Sequence, residues 1–379
     1  MEKDYIDIMN ALEVHQMILQ GPPGTSKTYN AKKIIAEGII KLNKVEEFVD
    51  SKGKELDLKK DDDLQKLLDS KENIKKFLNE YQINSKGEGY WDMVQLHPSY
   101  GYEDFVRGIT IKTENQQIQY ETINKIFGKM CKIAGDSKAN KYFLLIDEIN
   151  RADVATVFGE LIYALEYRNE AIETPYEVEQ SSKEQSSKEQ SSMVKSSKIT
   201  VPDNLYIIGT MNTADKSVGN IDYAIRRRFI FFDLLPNADA IENGYAQTVF
   251  LCVNEFIKTS INTQYRANDF LIGHTYFLLP EKKKINSEKL INYRMEYQVL
   301  PILREYYIDG IIRLSNEASD NYLNKYLTGE VELSDEVKDE GNENEEKEKV
   351  IDKIINAFSL GENNGNATED GSGEKQWKN

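Results

Sequence analysis

Several residue types that build dedicated sites are scarce in this sequence. The 379 residues include only two cysteines, Cys131 and Cys252, which are too few for a disulfide framework. The three histidines, His15, His97 and His274, lie far apart, and the chain has no zinc-ligand spacing. These shortages exclude disulfide-stapled domains and zinc fingers.

Long hydrophobic runs are also missing. No apolar segment of the signal-peptide type opens the chain, and no apolar run is long enough to span a bilayer. Together with the low cysteine content, this predicts a cytoplasmic protein in a reducing compartment, without a membrane association.

Positive charge is in the minority. The chain has 48 Lys and Arg against 64 Asp and Glu, a formal net charge of −16. The chain as a whole is therefore not an electrostatic binder of nucleic acid. Much of the negative charge lies near the C-terminus, so the net charge does not exclude a local basic patch elsewhere in the chain.

What is present fits a folded protein. Hydrophobic residues make up 40% of the chain, with 22 Tyr and 14 Phe. The length suits one large domain or two modest ones with a real core.

The most informative segment is a glycine-rich turn between an apolar run at 17–19 and a stretch with helical spacing from residue 31. The segment is Gly21, Pro22, Pro23, Gly24, Thr25, Ser26, Lys27 and Thr28. A strand, such a turn and a helix that begins with Lys-Thr form the context of a phosphate-binding P-loop, whose backbone N–H groups face anionic oxygens.

In this interpretation, Lys27 reaches the β- and γ-phosphates and Thr28 ligates Mg²⁺. Ser26 stands where the pattern usually has glycine, and we expect it to be tolerated there with a negative φ. The alternative is an ordinary Gly/Pro turn before a helix.

A second signal is the apolar run 142–146, which Asp147 and Glu148 follow. Such a run predicts a strand that is buried on both faces of a parallel sheet, with both carboxylates at its ligand-binding end. We expect Asp147 to hold Mg²⁺ through water and Glu148 to polarise the attacking water. The alternative is a strand end with solvated acids.

A further buried strand is predicted at 204–212, and its last residue is Asn212. An adjacent strand would place this amide near the γ-phosphate and the water. Arg151, just after the acidic pair, is either an interface or phosphate contact or a solvated charge at a helix start.

Three arginines, 226–228, end a short predicted helix before the strand 229–234. They are surface charge, a nucleic-acid patch, or an arginine finger that completes a neighbouring subunit's site.

The ordered set of motifs resembles the AAA+ class of ring-forming NTPases, and more narrowly its McrB branch. The likeness covers residues from about 17 to 307, and Met-Asn-Thr-Ala-Asp-Lys-Ser at 211–217 is its most specific string. The other segments that carry it are 94–105, 146–152, 222–229 and 272–277.

The resemblance implies roles for individual residues. Asn212 is the residue that helps to position water, and Arg227 and Arg228 match the pair that acts across the subunit interface. His274 falls in a motif of the helical lid, where it is also a packed core histidine. The P-loop begins at residue 21 with no DNA-recognition domain before it, so, if this is the full protein, we expect DNA targeting to come from a partner or another chain.

The fold expected is an α/β AAA+ P-loop NTPase, an αβα parallel-sheet core with a C-terminal helical lid. Residues 1–235 form the core, with a disordered Ser-Ser-Lys-Glu-Gln insert at about 177–200. Residues 236–328 form the lid, with apolar stripes at 246–257 and 297–307. Residues 329–379 form an acidic, largely disordered tail, in which 350–358 offers one helix at most.

The function expected is that of a motor subunit, most simply GTP-dependent, of a McrBC-like restriction or phage-defence system. It would use GTP or ATP with Mg²⁺, form a homo-hexameric ring, and act on DNA through a McrC-like nuclease partner. The alternatives are an ATP-dependent protein remodeller and a nucleotide-gated scaffold with little hydrolysis. The visible motifs bind phosphates, so the GTP preference rests on the resemblance alone.

Overall fold

The computed structural model describes residues 4–114, 117–181, 193–215, 221–280, 286–314, 321–337 and 348–359. These residues fall into two compact units, one comprising the described residues of 4–21 and 26–234 and the other those of 22–25 and 235–359. In the part of the chain so described, no helix is long and apolar enough to cross a membrane.

The first unit contains nine α-helices among its described residues. They are α1 (Tyr5–Ala11), α2 (Lys27–Asn43), α3 (Asp61–Leu68), α4 (Lys71–Tyr81), α5 (Tyr102–Phe105), α6 (Ile126–Asp136), α7 (Val154–Phe158), α8 (Leu161–Glu166) and α9 (Tyr223–Arg226). Its strands are β1 (Gln16–Gly21), β2 (Glu47–Val49), β3 (Glu55–Asp57), β4 (Trp91–Gln95), β5 (Arg107–Glu114), β6 (Gln117–Asn124), β7 (Tyr142–Asp147), β8 (Ala171–Ser181), β9 (Met193–Thr200), β10 (Leu205–Asn212) and β11 (Ile230–Asp233).

Five of these strands form the central sheet, in the order β11-β1-β10-β7-β4, and all neighbours are parallel. Side chains alternate between its faces. In β7, Phe143 and Leu145 pack with α2 and α4, and Leu144 and Ile146 pack with α6, α7 and α8. The apolar strands are therefore buried on both sides, as parallel sheets require, and the predicted αβα core is confirmed.

One predicted helix is in fact two. The apolar spacing at 154–165 predicts one continuous helix, but α7 ends at Phe158, and Gly159, which follows it, has a φ of +51°. A side chain at this position would also approach the Tyr102 ring to 3.3 Å. The break turns the chain before α8 begins.

Two antiparallel hairpins, β5–β6 and β8–β9, extend the first unit. The expectation of a disordered insert at 177–200 is wrong for 177–181 and 193–200, because these residues pair as strands and bury Val178 and Ile199. The remaining residues of that insert, 182–192, lie outside the described part.

The second unit is mainly helical, and the predicted C-terminal helical unit is confirmed. Its helices are α10 (Gly244–Ser260), α11 (Ser287–Arg294), α12 (Leu300–Ile308), α13 (Tyr322–Thr328) and α14 (Val350–Ser359), and two short strands, β12 (Glu336–Val337) and β13 (Glu348–Lys349), pair near its end. The predicted stripe of α10 is buried at its six positions, Ala246, Val249, Phe250, Val253, Phe256 and Ile257.

The second predicted stripe is only partly right. A π-helical turn, Met295–Val299, precedes α12 and shifts the helical phase. Leu300 and Leu303 are buried as predicted, but Tyr297 is 68% exposed and Tyr306 takes the buried position expected of Tyr307.

The chain after residue 329 also differs from the expected loose tail. Helix α14 buries Val350, Ile351, Ile354, Ile355 and Phe358, and it packs against α10 and α13. Composition suggested disorder because acidic residues surround this short amphipathic run. Residues 338–347 and 360–379 lie outside the described part.

Candidate active site

The carboxyl ends of β1, β7 and β10 bring the predicted polar residues to one edge of the sheet. Gly21, at the end of β1, is level with Asn212, at the end of β10, and Ile146 is level with Gly209. Ligands bind at this edge in open parallel sheets. Residues that are more than 100 positions apart in sequence thus meet in space.

Asp147 lies at the centre of this group and is 9% exposed. Its Oδ1 atom accepts hydrogen bonds from Thr28 Oγ1 and from Thr210 Oγ1, each at 2.7 Å. The first bond joins the start of α2 to the end of β7, so the threonine and aspartate predicted to share a metal are adjacent.

Glu148 points to a different partner. The Asn212 amide nitrogen lies 2.8 Å from Oε1 and 3.0 Å from Oε2 of Glu148. Glu148 has a φ of +54°, which turns the chain directly after Asp147 and lets the two carboxylates diverge. Burial raises the pKa of the Glu148 carboxyl, and the nearby Asp147 adds to this while Arg151 opposes it.

Arg151 belongs to the same group. Its Nε atom lies 3.4 Å from Glu148 Oε2, and Nη2 lies 3.5 Å from Asp215 Oδ2. Its side chain is nearly half exposed, so this ion pair is a weak restraint on the Glu148 carboxylate.

Lys27 is buried at the start of α2, and its Nζ atom donates to the carbonyl of Gly21 at 3.0 Å. Burial lowers the pKa of the Lys27 ammonium to about 8, although Glu148, Asp215 and Asp147 act in the opposite direction. A buried ammonium is suited to bind an anionic ligand.

Ser26 corrects one expectation. Its φ is +61° and its ψ is +29°, in the left-handed region, and not the negative φ expected. The position is thus one that favours glycine, and the serine holds it at a conformational cost.

The remaining residues of the glycine-rich segment, 22–25, group with the second unit. There Pro23 and Gly24 carbonyls accept hydrogen bonds from the N–H groups of Gly273 and Thr275 at 3.0 and 3.1 Å. Gly24 has a φ of +77°, and a Cβ on it would lie 2.7 Å from the Tyr276 ring, so only glycine fits. The Thr25 hydroxyl donates to Pro22 O at 3.0 Å.

His274 is a packed residue of the second unit. It is 8% exposed, and its Nδ1 atom accepts from the backbone N–H of Asn237 at 3.3 Å. This agrees with the expected structural role.

The arginines lie at the other edge of the sheet. Gln16, the first residue of β1, donates through Nε2 to the carbonyl of Arg228 at 2.6 Å. Arg227 and Arg228 both contact Glu166, at the end of α8. The structure therefore does not bring them to the Asp147 and Glu148 of their own chain.

Two features of the site escaped the sequence analysis. Thr210 donates to Asp147 and accepts from the backbone N–H of Glu148 at 3.1 Å, so it holds both acidic residues. Its signal was a hydroxyl in an otherwise apolar strand. Glu166 and Gln16 lie in unremarkable local sequence, and no signal marked them.

The protein-side ligands suit a magnesium ion. A threonine hydroxyl and an aspartate carboxylate are hard oxygen ligands, and they touch at 2.7 Å beside a buried lysine. This is the arrangement that holds Mg²⁺ with a triphosphate in P-loop proteins.

Comparisons with known proteins agree with this geometry. A family model described as an AAA domain of the dynein-related subfamily matches residues 80–229, and one described as the McrB alpha-helical lid domain matches residues 248–315. The chain is 31% identical over 233 residues to the type IV methyl-directed restriction enzyme EcoKMcrB subunit of Escherichia coli (strain K12), across 58% of this chain and 47% of that protein.

A second relative is the type II restriction enzyme BsuMI component YdiS of Bacillus subtilis (strain 168). It is 32% identical over 131 residues, which are 34% of this chain and 38% of that protein. The chain thus spans less than half the length of these curated relatives. Among solved structures, C. elegans PCH-2 is similar at 13% identity and a TM-score of 0.27, across 93% of this chain and 62% of that one, which is too distant to support an argument.

Proposed function

Because this chain is a McrB-type AAA+ protein, we propose that it is the nucleotide-hydrolysing motor subunit of a restriction system and that its nucleotide is GTP. The observation that carries the proposal is the meeting of Thr28, Asp147, Glu148 and Asn212 at one sheet edge.

In this proposal, Lys27 binds the β- and γ-phosphates, with Gly21–Thr28 as the surrounding loop. Thr28 and Asp147 hold Mg²⁺, which would neutralise charge on the phosphate oxygens. The hydroxyl of Thr210 donates a hydrogen bond to Asp147 and keeps its carboxylate in place.

Glu148 takes the proton of the attacking water. Its carboxyl has a raised pKa, which makes it a better proton acceptor than an exposed glutamate. Asn212 donates to both oxygens of Glu148 and so orients the carboxylate. The Asn212 amide can also contact the attacking water once one oxygen of Glu148 has turned away from Asn212 and toward that water.

The arginines act from a second copy of the chain. The arginine segment lies beside Gln16, at the start of β1, and Gly21 is at the other end of this six-residue strand. The length of the strand is roughly 17 Å at the usual rise per residue. That distance exceeds the length of an arginine side chain, so a phosphate that Arg227 or Arg228 contacts belongs to another protomer. Repetition of this head-to-tail contact closes a ring, for which we propose six subunits.

The relatives' names supply the biological setting. Both are components of restriction enzymes, and the chain shares sequence with both. We therefore propose that hydrolysis acts on DNA through a complex with a McrC-like nuclease subunit, in phage defence. The choice of GTP over ATP rests on this relationship.

The test is steady-state phosphate release with GTP and with ATP, each with and without the protein encoded by the neighbouring gene. GTP-selective turnover that the neighbour stimulates supports the proposal. ATP-selective turnover would indicate a general protein remodeller, and tight binding without turnover in any mixture would indicate a scaffold.

Glu148→Gln links the activity to this site. It should reduce turnover about 100-fold or more, because a general base contributes that much, while the affinity for a fluorescent GTP analogue stays unchanged. Glu255→Gln, in an exposed ion pair of α10, is the matched control. Unchanged turnover in Glu148→Gln would remove Glu148 from the base role.

A further inference from the structure

One carboxylate bridges the two arginines that follow α9. Oε2 of Glu166 lies 3.2 Å from Arg227 Nη2 and 2.7 Å from Arg228 Nη2. Glu166 is the last residue of α8, and neither its spacing nor its neighbours in sequence connect it with residue 227. Glu166 and Arg227 are 61 residues apart in sequence, and only the fold brings them together.

The two arginines are not equivalent. The side chain of Arg227 is 64% exposed, whereas that of Arg228 is 7% exposed. Arg228 also donates from Nη1 to the carbonyl of Ala224 at 2.7 Å. A guanidinium that is buried and bound in this way cannot reach a second protein without breaking its own contacts, whereas Arg227 has only the ion pair with Glu166 to release among the contacts described for it.

Gln16 fixes the backbone on both sides of this cluster. Its Nε2 atom donates to Arg228 O at 2.6 Å and to Leu165 O at 3.3 Å, and its Oε1 atom accepts from Arg168 Nη2 at 2.6 Å. Gln16 is 3% exposed. The buried side chain of Gln16 thus holds the end of α8 at a set distance from the backbone of Arg228.

We propose that Glu166 is a positioning residue that presents Arg227 to the neighbouring subunit, and that Arg228 is its buried anchor and does not itself contact phosphate. The inference rests on the proposed hydrolysis across a subunit interface, and it replaces the expected pair of acting arginines with a single one. Its physical basis is the shared carboxylate.

The shared carboxylate keeps the buried Arg228 paired in both positions of Arg227. When Arg227 leaves for a phosphate, Glu166 keeps its 2.7 Å contact with Arg228, so the buried guanidinium stays paired. Loss of a partner from a buried ion pair would otherwise be strongly destabilising. When Arg227 is not engaged, Glu166 restrains its many rotamers near the surface, which reduces the entropy lost on engagement.

The first test compares Glu166→Gln, Arg227→Ala and Arg228→Ala with the wild type and with the Glu255→Gln control. For Glu166→Gln we expect kcat to fall about 3- to 30-fold with KM within about twofold, because the phosphate loop is untouched and only a transition-state contact is misplaced. Arg227→Ala should lose more kcat at an unchanged Tm, whereas Arg228→Ala should lower Tm.

The second test separates positioning from a merely structural defect. Glu166→Gln subunits are mixed with Glu148→Gln subunits, whose own sites are inactive but whose Glu166 and Arg227 are intact. In a ring, roughly a quarter of the interfaces then combine an intact site with an intact finger. Turnover should rise above half that of Glu166→Gln alone, toward about a quarter of the wild type.

Wild-type kcat in Glu166→Gln, or a mixture whose turnover is no higher than half that of Glu166→Gln alone, would overturn the proposal. So would a kcat loss in Arg228→Ala at an unchanged Tm. If Glu166→Gln does not fold, Glu166→Asp, which keeps the charge but shortens the side chain, takes its place in both tests. A wild type without turnover would overturn the proposed function as well, and this result is distinct from an active wild type that Glu166→Gln does not alter.

Discussion

At the residue scale, two side chains of the candidate site hold a backbone conformation that favours glycine. Ser26 has a φ of +61° and Glu148 a φ of +54°. For an L-residue this region costs roughly 1–2 kcal/mol. Strain of this kind concentrates at functional sites. Here the left-handed backbone turns the chain directly before Lys27 and directly after Asp147.

Ser26→Gly should therefore stabilise the nucleotide-free protein by about 1 kcal/mol, because glycine adopts the left-handed region without a steric penalty. Urea unfolding measures the change. Ser70→Gly is the matched control, since Ser70 has a φ of −103° and its hydroxyl caps α4. That control should lose stability, and an equal loss in Ser26→Gly would refute the strain argument.

The buried ammonium of Lys27 gives nucleotide binding a pH dependence. Its pKa is lowered to about 8, whereas phosphate anions favour the protonated form, so the pKa rises on binding. Below about pH 7.5 the free protein is already protonated and affinity should be constant; above pH 8 a proton must be taken up, and Kd should weaken by up to about tenfold per pH unit.

Equilibrium titrations with a fluorescent nucleotide at several pH values measure this effect. Lys27→Arg is the control, because a guanidinium stays charged over the whole range. The titrations extend to about pH 9.5, well above the lowered pKa of Lys27. A wild-type profile as flat as that of the arginine variant over this range would contradict the assignment.

At the element scale, the sequence patterns locate the strands that carry the candidate site but not the places where helices break. The apolar run 142–146 and the polar end at Asn212 correspond to β7 and β10. The break at Gly159 and the π-helical turn at Met295–Val299 interrupt apolar spacing that looks continuous. The apolar spacing reveals neither change, because it reports only where hydrophobic residues recur along the chain.

The hairpins β5–β6 and β8–β9 show the same limit. Arg107 is 1% exposed, and its guanidinium donates to Asn124 and Thr174 side chains and to the carbonyls of Tyr176, Ser197 and Lys198 at 2.7–3.1 Å. No carboxylate pairs with it among these contacts. A single side chain of β5 thus joins one hairpin to the other.

Arg107→Met should destabilise the protein by at least about 3 kcal/mol, because several buried acceptors lose a charged donor at once. Urea unfolding, with hydrogen exchange at β8 and β9, measures the loss and its location. Arg313→Met, at an exposed position of the second unit, should change stability by no more than about 0.5 kcal/mol. A loss below about 1 kcal/mol at residue 107 would mean that the hairpins do not depend on this contact.

At the scale of the whole molecule, the proposed active centre draws on residues from opposite ends of the sheet's strands. Lys27, Asp147 and Glu148 lie at the carboxyl edge, and Arg227 lies at the amino edge beside Gln16. The strand between them is too long for one chain to unite them. Assembly is therefore a requirement of the chemistry proposed for this protein.

Mixing Arg227→Ala with Glu148→Gln subunits tests this requirement. Each variant alone should be nearly inactive, but roughly a quarter of the interfaces in an equal mixture combine an intact Glu148 with an intact Arg227. Phosphate release should then recover toward that fraction of the wild-type rate. An equal mixture that stays as inactive as its components would show that the arginine does not act between subunits.

The chain's sequence by itself predicts a phosphate loop and an acidic pair, and it determines the layered α/β class. These depend on short segments: Gly21–Thr28, the run before Asp147, and the strand that ends at Asn212. Each carries its chemistry and its secondary-structure period within a few residues, so neighbouring positions reveal it.

Only the tertiary structure reveals the left-handed serine, the threonine that holds both acids, and the carboxylate shared by two arginines. Thr210 is 63 residues from Asp147, Glu166 is 61 residues from Arg227, and Gln16 is 212 residues from Arg228. Contacts of this kind depend on how parallel strands align and where helices break. No local pattern encodes them, because the energy that selects them comes from burial and hydrogen bonding between distant segments.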